Sequence, residues 1–226
     1  MKMLTVAGPP SSGKTSVILR LAECLEQRTG VIKFDCLTSF DKSRYDEAGV
    51  PVQIGFSGKF CPDHFFVNNV EGGVAWGLRR GLDFLVTESA GLCNRCSPHI
   101  TGVTGICVVD CLSGVHTPRK IGPMLKLADI VVITKGDIVS QAEREVFAWG
   151  VRQVNAKSQV FFVNGVTGQG AFMLAKKASA ARDVDSLSDT RLRFTVPAAA
   201  CSYCTGETRI GENYQMGMMR KMEYDL

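Results

Sequence analysis

Residues 1–17 read MKMLTVAGPPSSGKTSV, and this stretch decides the fold. A short apolar run ends at Gly8, a loop rich in proline and serine follows, and apolar residues then recur at helical spacing over residues 16–27. The loop itself, residues 8–15, fits the pattern G-x-x-x-x-G-K-[ST] between a strand and a helix. In that context successive backbone N–H groups wrap a phosphate, so the stretch predicts a strand, a phosphate-binding loop and a helix.

The residue types in this loop suit the binding of a nucleoside triphosphate. Lys14 places a positive charge on the β- and γ-phosphate oxygens, and the Thr15 hydroxyl is a ligand for Mg²⁺. We expect the phosphates to be contacted by Gly8, Ser11, Ser12, Gly13, Lys14, Thr15 and Ser16. The motif does not distinguish a kinase, an ATPase and a GTPase, so the ends of later strands must decide.

Five further apolar runs have the length and composition of strands that are covered on both faces. They comprise residues 31–34, 82–86, 106–109, 130–133 and 160–163, and helical segments fit between them. This alternation predicts an α/β domain over residues 1–178, a three-layer P-loop NTPase with a mainly parallel sheet. Its ligand is expected at the carboxyl ends of the strands.

Composition narrows the class of protein. The chain has 226 residues, 45% of them hydrophobic, and a net charge of +4 without a basic run longer than two residues. No stretch approaches the roughly 18 consecutive apolar residues of a membrane helix. We therefore expect a cytoplasmic protein that binds neither nucleic acid nor membrane, whose nine cysteines serve burial, metal binding or redox chemistry instead of disulfides.

The composition changes after residue 178, and we expect residues 179–226 to form a small C-terminal extension. Residues 191–196 alternate like an edge strand that Pro197 ends. Beyond it, Cys201 and Cys204 have the C-x-x-C spacing that turns two thiolates toward one metal ion.

Residues 134–137, Thr-Lys-Gly-Asp, bear on which nucleotide base the protein binds. They resemble the [NT]-K-x-D motif of GTPases. An ionised Asp137 accepts two hydrogen bonds from guanine, whereas against adenine it would be desolvated and unpaired. The other interpretation is that Asp137 caps the helix that begins near Ser140. The loop after the sixth run, with Asn164 and Gly165, resembles the loop that backs guanine in the same enzymes. We expect Thr134, Lys135, Asp137, Asn164 and Gly165 to hold the base.

An acid and a glycine end the third apolar run, in the order Glu88-Ser89-Ala90-Gly91. The acid can hold the hydration shell of Mg²⁺, and the Gly91 N–H can face a γ-phosphate. Most GTPases have aspartate where this chain has Glu88.

In their order along residues 3–175, these landmarks resemble the nickel-insertion GTPases of the HypB and UreG type. The resemblance implies GTP and Mg²⁺ as ligands, GTP-promoted dimerisation across the nucleotide face, and metal ligands coupled to the nucleotide state. It implies that Asp35, after the second run, is the switch acid near Mg²⁺ and the attacking water, with Asp41 as a second candidate. Lys14, Asp35, Asp41, Glu88 and Gly91 would then be the catalytic residues, and Thr15, Asp35 and Glu88 the Mg²⁺ site.

The resemblance also identifies candidate ligands for a transition metal. Residues 61–64, Cys-Pro-Asp-His, resemble a Cys-Pro-His or Cys-His ligand motif, and Cys96 with Pro98 resembles the Cys-Pro that follows Glu-x-x-Gly. Two departures are an inserted Asp63 and a longer loop after Gly91 that carries a second cysteine, Cys93.

Two ligand sets remain open for the cysteines. A four-thiolate site would combine Cys93 and Cys96 with Cys201 and Cys204 and would suit zinc or an iron–sulfur cluster. A mixed site would use Cys61, His64, Cys93 and Cys96, with the second pair fixing the tail. The cysteines in or beside apolar segments, Cys24, Cys36, Cys107 and Cys111, are expected to pack as small hydrophobes.

Our first hypothesis is a metal-linked GTPase that serves as a maturation factor for a client metalloenzyme or its accessory proteins, with Zn, Ni or an Fe–S cluster at the cysteines. The alternative is a nucleotide-driven electron-transfer or reductive activator with an Fe–S cluster between protomers at Cys93 and Cys96. A small-molecule kinase is a third option, but the chain has no arginine-rich lid segment to neutralise the transferred phosphoryl group.

Overall fold

A computed structural model describes residues 1–94, 96–194, 207–211, 214 and 220–225. Within them a seven-stranded sheet has the strand order β3-β2-β4-β1-β5-β6-β7. All six strand pairings are parallel. The strands are β1 (Lys2–Ala7), β2 (Thr29–Asp35), β3 (Val52–Phe56), β4 (Phe84–Ser89), β5 (Thr104–Asp110), β6 (Ile130–Thr134) and β7 (Gln159–Phe162).

Helices cover both faces of the sheet, which confirms the predicted three-layer α/β architecture. They are α1 (Lys14–Leu25), α2 (Asp41–Glu47), α3 (Pro62–Arg79), α4 (Thr117–Lys120), α5 (Pro123–Lys126), α6 (Gln141–Val154) and α7 (Ala171–Ala178), with a 3₁₀ turn at Cys111–Ser113. One face packs against α1 and α7, and the other face packs against α3 at one end and against α5 and α6 at the other. Every crossover returns to a parallel strand, so the loops that follow the strands collect at one edge.

The strand β3 is an addition to the prediction from sequence, which placed six strands within residues 1–178 and one edge strand in the C-terminal extension. It lies at the edge of the sheet, has five residues that are mostly half-buried, and contains Gly55. Such a short, partly exposed strand lacks the continuous apolar run by which the six others are recognised.

The described part of the C-terminal extension packs onto the α3 side of the domain. Val184, Leu187, Leu192 and Ile210 join the apolar cluster beneath α3, and the Tyr224 hydroxyl donates to the Asn69 carbonyl at 2.6 Å. In the predicted edge strand the described residues form isolated bridges only, Leu192 with Ile100 and Arg191 with Arg209. Cys201 and Cys204 lie outside the described residues, as does Arg95.

Candidate nucleotide and metal site

The phosphate loop joins β1, the central strand, to α1. Gly8 has a φ of 150°, and a Cβ atom there would collide with the Val108 carbonyl oxygen of the neighbouring strand. The loop therefore requires glycine at this position because the backbones approach closely. The Lys14 ammonium donates to the carbonyls of Gly8 at 2.9 Å and Pro9 at 3.0 Å, which holds it over the loop. Burial lowers the pKa of Lys14, and the nearby Glu88 opposes that effect.

Glu88, at the end of β4, is the most heavily hydrogen-bonded carboxylate of this edge. It is buried, and its Oε1 accepts from the Thr15 hydroxyl and from the Lys33 ammonium, both at 2.8 Å. Its Oε2 accepts from the Tyr45 hydroxyl of α2 at 2.7 Å. Burial raises the pKa of Tyr45 well above its ordinary value, and the negative charge of Glu88 adds to this effect. The phenol therefore keeps its proton and remains a hydrogen-bond donor. Glu88 thus links the first turn of α1, strand β2 and helix α2.

Lys33 is a component of the site that the sequence analysis did not identify. It lies directly opposite Glu88 in the register of β2 and β4, and its ammonium is also 3.0 Å from Asp41 and 3.9 Å from Asp35. Burial disfavours the charged form, but Glu88 and Asp41 outweigh it and raise the pKa of Lys33 above its ordinary value. The sequence contains one signal for this role, since Lys33 is the single charged residue in the otherwise apolar run of residues 31–34. A charge that is buried in such a strand needs a partner of opposite charge.

The oxygen groups around Thr15 fit a magnesium ion. A hydroxyl and carboxylates are hard oxygen ligands, the donor set that Mg²⁺ prefers. Thr15, Glu88 and Asp35 were predicted for this role, and Glu88 contacts Thr15 directly. Asp35 and Asp41 are connected to the same group through Lys33. Asp41 has a lowered pKa, because Lys33 and Arg44 outweigh the effect of its partial burial.

The loop that follows β4 contacts the phosphate loop at Gly91. With a φ of 74°, Gly91 packs so closely that a Cβ atom would collide with the Gly8 carbonyl oxygen, and it would lie 3.3 Å from the Lys14 ammonium. Any side chain here would push the two loops apart. The backbone of Gly91 therefore lies directly beside the phosphate loop and Lys14.

Farther along the same segment, His99 is fixed inside the domain. Its ring is fully buried between the Thr5 hydroxyl at 2.9 Å and the Met124 carbonyl at 3.0 Å. Burial lowers the pKa of His99 to about 4, and the Arg193 guanidinium adds to that effect. A neutral, buried imidazole therefore anchors the end of the segment that begins at Gly91.

Thr134, the last residue of β6, and Lys135, which follows it, both donate hydrogen bonds to the phosphate loop. The Thr134 hydroxyl donates to the Ser12 carbonyl at 2.7 Å, and the Lys135 ammonium donates to the Ser11 carbonyl at 2.8 Å. A hydroxyl at position 134 is thus enough to link the base loop to the phosphate loop.

Asp137 is exposed and does not cap helix α6. Ser140 does so, accepting from the Glu143 backbone N–H while Glu143 accepts from that of Ser140. The alternative interpretation of Asp137 as the cap is therefore wrong. Instead, Asp137 lines a cavity of about 220 Å³ together with Phe162, Asn164 and Gln169.

The wall of this cavity is a stiff loop. The Asn164 side chain accepts from the N–H groups of Val166 and Thr167 at 2.8 and 3.0 Å, which closes a tight turn. Gly165 lies against Ser16, since a Cβ on it would approach that of Ser16 to 2.7 Å. The predicted base-binding residues thus flank the end of the phosphate loop.

Two cysteines and an acid form a group beside the segment that begins at Gly91. The ligand atoms of Asp63, Cys93 and Cys96 all lie within 4.8 Å of one another. Asp63 and Cys96 are buried and hydrogen-bonded to each other. Burial raises the pKa of Asp63 to about 6 and raises that of the Cys96 thiol, to which Asp63 adds. Asp63, which the sequence suggested was only an insertion, is therefore in this group.

The other predicted metal ligands are placed differently. His64 is buried in the first turn of α3, and Cys61 is half-buried at its N-terminus, packed with Cys93 against the apolar cluster beneath α3. Neither belongs to the compact three-ligand group. Of the four cysteines expected to pack as small hydrophobes, Cys107 is fully buried and Cys24, Cys36 and Cys111 are half-buried.

Comparison with known proteins agrees with this geometry. The sequence pattern of the family described as "CobW/HypB/UreG, nucleotide-binding domain" matches residues 2–162. The chain belongs to this family. An uncharacterized protein of Methanocaldococcus jannaschii is 46% identical over 232 residues, which cover 100% of this chain and 99% of that protein.

Two solved structures of HypB share the fold of this CobW/HypB/UreG member. The hydrogenase maturation factor HypB of Archaeoglobus fulgidus superposes with a TM-score of 0.60 at 18% identity, over 79% of this chain and 89% of that one. HypB of Helicobacter pylori in complex with nickel gives 0.60 at 20% identity, over 82% and 91%. Among the described residues, no helix combines the length and apolar character that crossing a membrane requires.

Proposed function

We propose that the chain is a GTP-binding and GTP-hydrolysing maturation factor that couples its nucleotide state to the binding and delivery of a metal to a client metalloenzyme. The observation that carries the proposal is the segment from Gly91 to Cys96. At one end it touches the Gly8 carbonyl and approaches Lys14, and within five residues it supplies two members of the thiol and carboxylate group. Cys93 follows Gly91 by two residues and so lies within about 7 Å of it along the chain.

The nucleotide half of the proposal rests on the arrangement of donors and acceptors. The backbone N–H groups of residues 11–15 and the Lys14 ammonium hold the phosphates, and Lys14 leaves its carbonyl partners to do so. Asp137, exposed at its cavity, accepts from guanine, and Lys135 covers the base. Mg²⁺, held by Thr15, Glu88 and Asp35, would neutralise charge on the phosphate oxygens. Asp35 or Asp41 orients the attacking water, since Asp35 ends β2, Asp41 begins α2, and both lie beside this group.

The metal half rests on the chemistry of the ligands. Two thiolates with the Asp63 carboxylate would bind Zn²⁺ or Ni²⁺, and Cys61, at the N-cap of α3, would supply a further thiolate. Ionisation of Cys96 needs such an ion nearby, because burial and Asp63 both disfavour its thiolate. A γ-phosphate that moves Gly91 would shift the thiols on the same backbone. In the HypB of Helicobacter pylori, nickel is part of the solved complex.

Titration calorimetry tests the coupling. We expect the affinity for Zn²⁺ or Ni²⁺ to differ about 5-fold or more between the GDP-bound protein and the protein with a non-hydrolysable GTP analogue. By reciprocity, the metal must change the affinity for the analogue relative to that for GDP by the same factor. Independent binding of the two ligands would refute the proposal, and a brown protein containing iron and sulfide would replace it with the reductive activator.

Single substitutions separate the candidate ligands. Cys93→Ser and Cys96→Ser are expected to abolish the coupling and leave GTP binding intact, whereas Cys24→Ser, near the far end of α1, is the matched control. Asp63→Ala should weaken metal binding more than His64→Ala if the three-ligand group is the site. The reverse order would favour the mixed site with Cys61 and His64.

A further inference from the structure

The ammonium of Lys33 takes up the oxygens that a magnesium ion would use. It is 2.8 Å from Glu88 Oε1, 3.0 Å from Asp41 and 3.9 Å from Asp35, and Glu88 Oε1 is also the partner of the Thr15 hydroxyl. The Lys33 side chain is only 6% exposed, so solvent screens little of its charge. The lysine therefore neutralises the carboxylates from inside the domain.

A divalent ion and this ammonium oppose each other at such a distance. Both are positive and both need Glu88, so at low local dielectric each disfavours the other. The backbone of β2 is fixed by pairing with β3 and β4, and it holds the base of the lysine side chain in place. Rotation of the flexible four-carbon chain of Lys33 can take its ammonium away from Glu88 while the strand stays in place.

We propose that Lys33 is a tethered competitor of Mg²⁺: its ammonium holds the carboxylate pair Glu88 and Asp41 until a magnesium–nucleotide complex displaces it. Lys33 is in this sense a positioning residue, acting through Glu88 and Asp41. The inference rests on the proposed function, since it takes Thr15 and Glu88 to serve the magnesium of a bound nucleotide.

Displacement of the Lys33 ammonium also affects helix α2. Asp41, in its first turn, bonds to Lys33, and Tyr45 bonds to Glu88, so two residues of α2 are docked on this one ion pair. Displacement of the ammonium leaves Asp41 with Arg44, which also donates to Ser16 at 2.8 Å. The lysine thus couples the ion at the nucleotide to the helix that follows β2.

Thermal unfolding with Mg²⁺ and without any nucleotide tests the inference. In Lys33→Met, the unpaired carboxylates should lower the melting temperature, and 10 mM Mg²⁺ should then raise it by about 3–8 °C. The wild type and Lys33→Arg, in which a cation remains, should shift by less than about 1 °C. Lys42→Met, which removes an exposed lysine of α2 that pairs with Asp46, is the matched control and should behave as the wild type does.

Two results would overturn the inference. One is a wild-type protein that responds to Mg²⁺ as strongly as Lys33→Met, because ion and ammonium would then coexist. The other is a folded Lys33→Met that does not respond at all. If Lys33→Met does not fold, Lys33→Gln keeps a donor for Glu88, and the same response is expected of it. Because no nucleotide is present, failure of GTP binding or of metal coupling would refute the proposed function and leave this result unaffected.

Discussion

The sheet edge that carries the phosphate loop has two ends, a phosphate half with Glu88 and Lys33 and a base half with Asp137. The two halves differ in the burial of their charged side chains. At the phosphate half, Glu88 and Lys33 are buried and paired, and Tyr45 and Asp41 are locked onto them. At the base half, Asp137 is exposed. A buried ion pair is costly to break, whereas an exposed carboxylate costs little to remove. The charged residues of the phosphate half therefore stabilise the fold, whereas Asp137 of the base half contributes little to stability.

The largest expected effect comes from Glu88→Ala, which leaves the buried Lys33 ammonium without its nearest partner. We expect the free energy of unfolding to fall by about 3–5 kcal/mol, measured by urea denaturation. Asp137→Ala, at the other half, should change it by less than about 0.5 kcal/mol. Equal losses in the two variants would show that the two halves contribute equally to stability.

The second expected effect is a dependence of the free energy of unfolding on pH, caused by His99. This residue bonds to Thr5 of β1, the strand that leads into the phosphate loop. Its folded pKa of about 4 lies below the ordinary 6.5, so the unfolded chain binds the extra proton first. The stability it contributes is complete above pH 6.5 and is lost as the pH falls toward 4, by about 3 kcal/mol in total.

Urea denaturation at several pH values between 7 and 4 measures this loss. In His99→Gln, which has no imidazole to titrate, that share of the pH dependence should disappear although the protein is less stable at pH 7. Identical slopes for the variant and the wild type would show that other groups cause the acid sensitivity.

The third effect is confined to the base half. Asp137→Ala should weaken GTP binding about 10- to 100-fold, since hydrogen bonds to a charged acceptor contribute about 1.5–3 kcal/mol, and should strengthen ATP binding, since adenine no longer leaves a carboxylate desolvated and unpaired. Calorimetry with both nucleotides measures this. Glu145→Ala, an exposed acid of α6, provides the control, and an equal loss of GTP affinity there would remove Asp137 from the base site.

The smallest effect concerns the link between the halves. Thr134→Val keeps the shape of the side chain but leaves the Ser12 carbonyl without its 2.7 Å donor, so we expect a loss of about 1 kcal/mol in the free energy of unfolding. Thr134→Ser keeps the hydroxyl and should lose less than half as much. If both variants lose the same amount, packing of the methyl group matters and the hydrogen bond does not.

Much of the fold could be predicted from local patterns. Six strands and the helix after the phosphate loop follow from apolar runs and one motif, because a strand covered on both faces needs a continuous apolar run. Strand β3 was missed because it is short, half-buried and at an edge. Asp137 and Asn164, which the sequence predicts at the base, line one cavity, and only the structure could dismiss the alternative that Asp137 caps the next helix.

The metal group shows where spacing stops being informative. Asp63 and His64 are adjacent in the first turn of α3, and neighbours on a helix point about 100° apart, so only one of them readily faces a given ligand. Which one does so depends on where α3 lies relative to the segment after Gly91. The structure brings Asp63 to Cys93 and Cys96.

The phosphate-loop motif and the parallel sheet could be predicted from the amino-acid sequence, because they depend on short stretches whose period and residue types are visible locally. Tertiary structure alone decided that Lys33 faces Glu88 and that Asp63 meets the two thiols. Both contacts join residues far apart in the chain, and their formation depends on strand register and helix placement, which the whole core sets at once.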